Sequence, residues 1–414
     1  MKKIYILAAI ALVAGVSCTK QVPADNNSPD MPISFSPISQ KIGTKAAHYG
    51  EQNETYSGDA LETKYESFNV WSIFNQTAIT TPGQTGTQVF FAGIVANPNN
   101  GATSTPDYWS LATPYYWPKA GYLSFHAFSP SEATGLTLTH AWGAGFTAEY
   151  VVPDDVATHV DLLYSNYEYN KQRTDYTASF PYDETGDDDS VYGYDGVNIM
   201  FNHALSSIQF YVKQNDTYSG HTLTVKKIEI LNPYTTGTFH ENRANTNLSN
   251  GYDVLTATQP TGTERIINVW NASATNAPYW DVNTSTEGGP YVAYNNTTGI
   301  VTTTTAQLAR TNYVLAMPQS LAHTTTSNNV KIKITYDYTF GSQTLTNQIA
   351  TIDISGLAGS DSVETGDRTV DKWLINHRYI YTINFKLDEI IFDPAVTSFI
   401  DVTATVDVPA STVS

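Results

Sequence analysis

Apolar and polar residues alternate one for one along much of this chain, and a period of two is satisfied by extended strands and by no helix. Val330, Ile332, Ile334, Tyr336 and Tyr338 alternate with Lys331, Lys333, Thr335 and Asp337, which places one set on each face of a strand. Tyr379, Tyr381, Ile383, Phe385 and Leu387 do the same against Thr382, Asn384, Lys386 and Asp388. Such segments read as half-buried antiparallel strands. Leu223 and Val225 face one way, and the doublet Lys226-Lys227 shifts the phase so that Ile228 and Ile230 continue it; this predicts a β-bulge. Further strands are expected at 68–74, 121–128, 204–212 and 348–354. Turn signals such as Pro82-Gly83, Asn99-Asn100-Gly101, Asn250-Gly251 and Gly288-Gly289-Pro290 separate the apolar runs, and no amphipathic helix of three turns interrupts them. The fold class is all-β, as a pair of β-sandwiches.

The beginning of the chain sets the compartment. Lys2 and Lys3 precede an apolar run, Ile4 to Val16, and then Ser17-Cys18. The run falls short of the roughly 20 residues of a membrane-spanning helix and reads as a signal peptide, residues 1–17. Cys18 is the single cysteine, so no intramolecular disulfide can form. The segment resembles a bacterial lipoprotein processing site, in which the cysteine is acylated and becomes the new N-terminus, although Gly15 stands where a larger aliphatic residue is usual. Acyl chains contribute about 0.8 kcal/mol per buried methylene, and several of them hold a protein firmly on a bilayer. Residues 18–31, rich in Pro, Asp and Asn, then form a lipidated tether. The remaining length exceeds what one hydrophobic core usually serves, so two domains are expected, 32–195 and 196–398. The division falls near the end of the stretch crowded with Asp183, Glu184, Asp187, Asp188 and Asp189. The region 232–300 and the Thr-rich stretch 295–305 read as long surface excursions of the second domain.

Charge and motifs exclude several functions. Charged residues make up 14% of the chain, against roughly a quarter in ordinary domains. The formal net charge of −18 falls to −20 when Lys2 and Lys3 are removed, a field that repels nucleic-acid phosphates. The nine histidines are scattered without a zinc-binding spacing, and neither a nucleophile elbow nor a phosphate-binding loop is present. No catalytic residue, cofactor or metal ligand is assigned. The acidic stretch 183–189 has carboxylates suited to Ca²⁺ but lacks an EF-hand spacing, and a solvated loop is the plainer reading. Tyr108, Trp109, Tyr115, Tyr116 and Trp117 could stack on sugar rings, with Trp109, Tyr116 and Trp117 as the platform; such residues more often fill a sandwich core.

The two ends of the chain carry the more informative pattern. Ile400, Val402, Ala404, Val406 and Val408 alternate with Asp401, Thr403, Thr405 and Asp407, just before Pro409 and a short polar end. This tail, residues 399–414, is a complete strand with one apolar face. It can finish its own sheet, or be given to a neighbour whose sheet has an open edge. Near the start, Ile33 and Phe35 between Pro32 and Pro37 read as a short strand that proline confines to an edge.

Taken in order, several segments resemble the fimbrillin, or Mfa-like, pilins of Bacteroidetes. They are Cys18; Ile33-Ser34-Phe35 with Thr44-Lys45-Ala46; Phe68-Asn69-Val70-Trp71; Tyr115-Tyr116-Trp117-Pro118; Leu123-Ser124-Phe125-His126-Ala127-Phe128; Asp161-Leu162-Leu163-Tyr164; Phe201-Asn202-His203-Ala204-Leu205-Ser206; Tyr313 to Gln319; and Tyr379 to Phe385. The resemblance implies two tandem transthyretin-like, Greek-key β-sandwich domains in a lipoprotein exported through the periplasm to the outer membrane. It implies removal of the first strand by a protease and its replacement by the tail of another subunit, with Ile400, Val402, Ala404, Val406 and Val408 as the donor face. It implies no enzyme activity, and as partners other fimbrial subunits, the membrane before processing, and a host or glycan receptor. His203 would be a hydrogen-bonded core residue. Cleavage after arginine is usual in the family, yet the first arginine here is Arg173; either the protease accepts lysine, with Lys41 and Lys45 as candidate processing points and Lys64 beyond them, or the subunit is left uncut and lipidated, as an anchor would be. A glycan-binding surface lipoprotein is the alternative function.

Overall fold

A computed structural model describes residues 32–39, 47–48, 67–80, 88–98, 109–175, 196–215, 220–241, 261–267, 278–309, 313–361, 367–385, 389–397 and 401–409. Among these the regular structure is strand, relieved only by the short 3-10 turns Val156–Thr158, Arg173–Asp175 and Thr326–Asn328. The expected strands form: Phe68–Asn75, Tyr122–Ser129, Ser206–Gln214, Lys331–Phe340, Gln343–Asp353 and Arg378–Phe385. The expected bulge also forms, as a register shift between Val225 and Lys227 in the ladders to both neighbouring strands. Its consequence is visible in burial. Ile228, Ile230, Ile332 and Ile334 are fully buried, while on the opposite face Lys227 and Lys333 reach Glu229 at 2.6 and 3.0 Å. Desolvation pushes the Glu229 carboxyl upward, but the two ammonium groups outweigh it and hold it below the usual carboxylate range.

Pairing is not wholly antiparallel. Arg378–Phe385 runs antiparallel to Glu389–Thr397 on one side and parallel to Ser206–Gln214 on the other, from Ser207↔Arg378 to Gln214↔Phe385. Alternation reports the face a residue occupies; strand direction is set by a connection of well over a hundred residues, which has no local signature.

An N-terminal sheet runs in the order Glu168–Lys171, Tyr122–Ser129, Phe68–Asn75, Gln88–Pro98, Trp109–Leu111, Ser34–Ser39, Val197–His203, Leu163–Ser165. Leu163–Ser165 also pairs with Tyr122–Ser129, at Phe128↔Tyr164 and Ser129↔Leu163, so the sheet curls round and closes. Inside lies one core, which includes Ile33, Phe35, Phe68, Phe125, Trp109 and Phe201. Val197–His203 belongs to this closed sheet although it follows residue 195.

A second, larger core is enclosed by the sheet Tyr291–Val301, His221–Leu231, Lys331–Phe340, Gln343–Asp353 and by the sheet that contains Ser206–Gln214 and Arg378–Phe385. The described parts of the region 232–300 are not only surface excursions. Thr236–His240, Thr263–Ile267 and Tyr279–Asn283 form a further sheet with Gly145–Val151 and Leu136–Ala141 from the first half of the chain. Those strands are short, and what recruits them is distant packing: Phe239 sits 5.0 Å from Tyr164, ring to ring, and the fully buried Trp280 donates its indole N–H to the Ala204 carbonyl at 2.6 Å.

Candidate functional site

The first strand, Ser34–Ser39, lies inside the N-terminal sheet and not at its edge. On one flank it runs parallel to Val197–His203, from Phe35↔Val197 to Ser39↔Phe201. On the other it meets Trp109–Leu111 at Ser34 and Phe35, and Ala47–His48 at Ile38 and Ser39. This corrects the edge assignment, and the proline explains how. The second flank is paired at 34–35 and again at 38–39, so Pro37, which has no N–H to donate, falls in the gap between its two partners. Upstream, the Ile33 N–H donates to the Tyr115 carbonyl at 2.8 Å.

Phe35 is the centre of this arrangement. It is fully buried, edge-on to Phe125 at 5.4 Å and to Phe68 at 6.1 Å between ring centroids, and Phe68 in turn meets Phe201 at 5.3 Å. Aromatic edge-to-face contacts of this kind add about 0.5–1.5 kcal/mol each beyond the area they bury. Next to it the seat narrows. Gly196 has φ +105, and a Cβ there would stand 2.3 Å from the Ser34 carbonyl oxygen; only glycine lets the first strand come this close. The first strand therefore fills a slot that is wide at Phe35 and tight at Ser34.

The tail strand, Asp401–Pro409, pairs within its own chain. It forms an antiparallel hairpin with Glu389–Thr397, in the register Ile390↔Val408, Phe392↔Val406 and Val396↔Val402, and it touches Leu357–Asp361 at Gly359↔Ala404. Ile400 lies outside the described residues, as do Cys18, Lys41, Lys45, Lys64 and the acidic stretch 183–189.

The sugar-stacking platform is not assembled. Trp109 and Trp117 are buried in the N-terminal core, Trp117 edge-on to Phe125 at 5.8 Å, and only Tyr116 is exposed. The packing reason is simple: in a small closed sheet these indoles are the bulk that fills the end of the core. His203, largely buried, lies 2.5 Å from Asp161 through its Nδ1, in keeping with a hydrogen-bonded core role. Among the described residues no group of three or more His, Cys, Asp or Glu is placed to hold a metal ion.

Sequence reasoning missed a buried polar cluster. His126 and Glu241 are both completely buried, with His126 Nε2 3.2 Å from either Glu241 oxygen. The other ring nitrogen, Nδ1, meets His140 Nε2 at 2.9 Å, and Glu241 accepts the Phe146 backbone N–H at 3.0 Å. The His126 ring is stacked between Phe146 at 4.1 Å and Tyr167 at 3.8 Å. Gly145, at φ +83, makes room, since a Cβ there would approach Glu241 Oε2 to 2.5 Å. His140 is driven down to a pKa of about 2, first by desolvation and then by the charge on His126. The cluster ties the N-terminal sheet to the sheet shared by both halves. His126 and Glu241 are 115 positions apart, and no spacing in the sequence announces them.

The profile of a family described as fimbrillin-like matches residues 57–398. No curated protein matches the chain. Among solved structures, the chain is similar to a fimbrial protein from Bacteroides vulgatus, with 14% identity and a TM-score of 0.47 over 89% of this chain and 99% of that one. It is also similar to a Bacteroides uniformis protein proposed to act in cell adhesion, with 13% identity and a TM-score of 0.41 over 91% of this chain and 100% of the other. A third, from Bacteroides thetaiotaomicron and proposed to bind polysaccharide, shares 10% identity with a TM-score of 0.31, over 89% and 97% of the respective chains.

Proposed function

Starting from the fact that the chain belongs to the fimbrillin-like family, we propose that it is a structural subunit of cell-surface fimbriae, exported as an outer-membrane lipoprotein and assembled by strand exchange in support of adhesion. The observation that carries the exchange step is the seat of the first strand. Ser34–Ser39 is held between two strands over a closed core, yet it belongs to the first few dozen residues of the chain. Cutting at Lys41 or Lys45 would separate it from the rest of the sheet. Its departure leaves two unpaired sheet edges and an empty aromatic cage, which a strand from another subunit can refill. The tail, Asp401–Pro409, is an extended segment whose partners in the free chain are main-chain ladders. Moving it into a neighbour exchanges one set of backbone hydrogen bonds for another of the same kind.

Two expectations test the N-terminal part of this reading. Cys18→Ser should abolish acylation and outer-membrane retention; normally anchored, acylated protein from that variant would exclude a lipid anchor at this residue. Fibres should contain subunits that begin within about ten residues after Lys41, read by mass spectrometry of the mature N-terminus. If every subunit in the fibre instead begins at an acylated Cys18, the first strand is never removed and exchange at this seat is wrong.

A further inference from the structure

The seat of the first strand and the tail of the same chain are mismatched, and the mismatch says which donor the seat takes. Ile33, immediately before the first strand, and Ser34 and Phe35 within it are buried. Their seat asks for an aliphatic residue, then a small one against Gly196, then an aromatic ring against Phe68 and Phe125, with Phe201 behind Phe68. The tail offers the reverse. Whichever pair of its apolar residues takes the places of Ile33 and Phe35, the aromatic cage receives Val402, Ala404, Val406 or Val408. The tight position beside Gly196 then receives Asp401, Thr403, Thr405 or Asp407. The first substitution leaves a void in a close-packed core, since relaxation refills cavities of this kind only in part. The second forces a branched or charged side chain into a place where a Cβ on the facing residue would already collide.

We infer that the seat vacated by the first strand selects a donor strand from a different subunit, one with the pattern aliphatic, small, aromatic, so that this chain joins a mixed fibre and does not polymerise with itself. The inference rests on the strand exchange proposed above and names its partner. The chain's own tail then serves a neighbour whose seat is lined for valine and alanine.

The test uses the full chain with a site-specific protease sequence inserted between Gly43 and Thr44. After cleavage the first strand is held by non-covalent contacts alone. Labelled peptides of residues 398–414 are offered, one with the native sequence and one carrying Asp401→Ser and Val402→Phe, beside a control peptide of residues 31–42. The substituted peptide should enter at least about tenfold more tightly than the native tail, and the control should enter as well. Equal entry of the native tail overturns the selectivity while leaving exchange intact. If none of the three enters, exchange itself fails and the inference falls with it. A second arm needs no cleavage: in the intact chain, Ser34→Thr with Phe35→Val should melt well below both the wild type and a Ser34→Ala, Phe35→Leu chain. Coincident melting of all three would show that the seat does not discriminate, and would overturn the inference independently of any exchange.

Discussion

Removing residues 399–414 should leave a folded chain that forms no fibres. Glu389–Thr397 keeps its own ladder to Arg378–Phe385, from Ile380↔Ala395 to Phe385↔Ile390. Leu357–Asp361, which the tail touches, also pairs directly with Glu389–Thr397 at Ser360↔Ala395 and Asp361↔Val396. The truncation removes the tail's own pairing with Arg378 and Tyr379 and exposes a new sheet edge, while Glu389–Thr397 keeps these other ladders. The truncated chain should still accept a donor in the seat of its first strand, since that seat belongs to the N-terminal sheet and the tail to another. Val402→Asp or Val406→Asp is the finer version, because a carboxylate in a partner's groove costs several kcal/mol of desolvation unless it is neutralised. Circular dichroism with a thermal melt, run beside electron microscopy of fibres formed together with the other subunits, decides the matter. An unfolded truncation would make the tail an obligatory strand of its own sheet, and normal fibre growth from the truncated chain would remove it from assembly altogether.

Glu241→Ala should cost about 3–5 kcal/mol of stability, the usual penalty when one member of a buried ionic or hydrogen-bonded pair is deleted. The variant strands His126 and the Phe146 N–H at the junction between the N-terminal sheet and the shared sheet, where Glu241 now serves both. Glu241→Gln, which keeps an oxygen for the Phe146 N–H, should lose less. Denaturant midpoints with an unchanged slope would report the difference as stability alone. The same cluster makes the fold sensitive to acid. His140 has an ordinary value of 6.5 and is driven to about 2 in the folded chain by desolvation and by His126. Between those values the unfolded chain binds a proton that the folded chain refuses, so stability is full above about pH 6.5 and falls as the pH drops below it. His323, stacked on Tyr234 at 3.9 Å and lowered mainly by desolvation, acts in the same direction. Stability measured from pH 7.5 down to 4 should decline, and His140→Asn should flatten part of that slope. A slope unchanged by the substitution would remove His140 as its cause.

How much of this was open to reading from the residues follows from where each property originates. The face on which a side chain lies is set by the geometry of one residue and its neighbours. Alternation at 330–338 and 379–387, and the phase shift at Lys226-Lys227, therefore led directly to strands and a bulge that the structure contains. The ordered motifs pointed to the family for the same reason, since they are short and contiguous. Which strand lies beside which is another matter. Pro37 reads as an edge residue until the two separate partners on its flank are seen, and the region 232–300 reads as loop until Phe239 and Trp280 find partners in the other half of the chain. Trp109 and Trp117 read more often as core than as platform, and the closed sheet buries them. His126 and Glu241 carry no signal at all. Local backbone geometry determined the period, and with it the fold class. Contacts between residues far apart in sequence decided the neighbours, because burial is a property of the whole packed core and no short segment contains it.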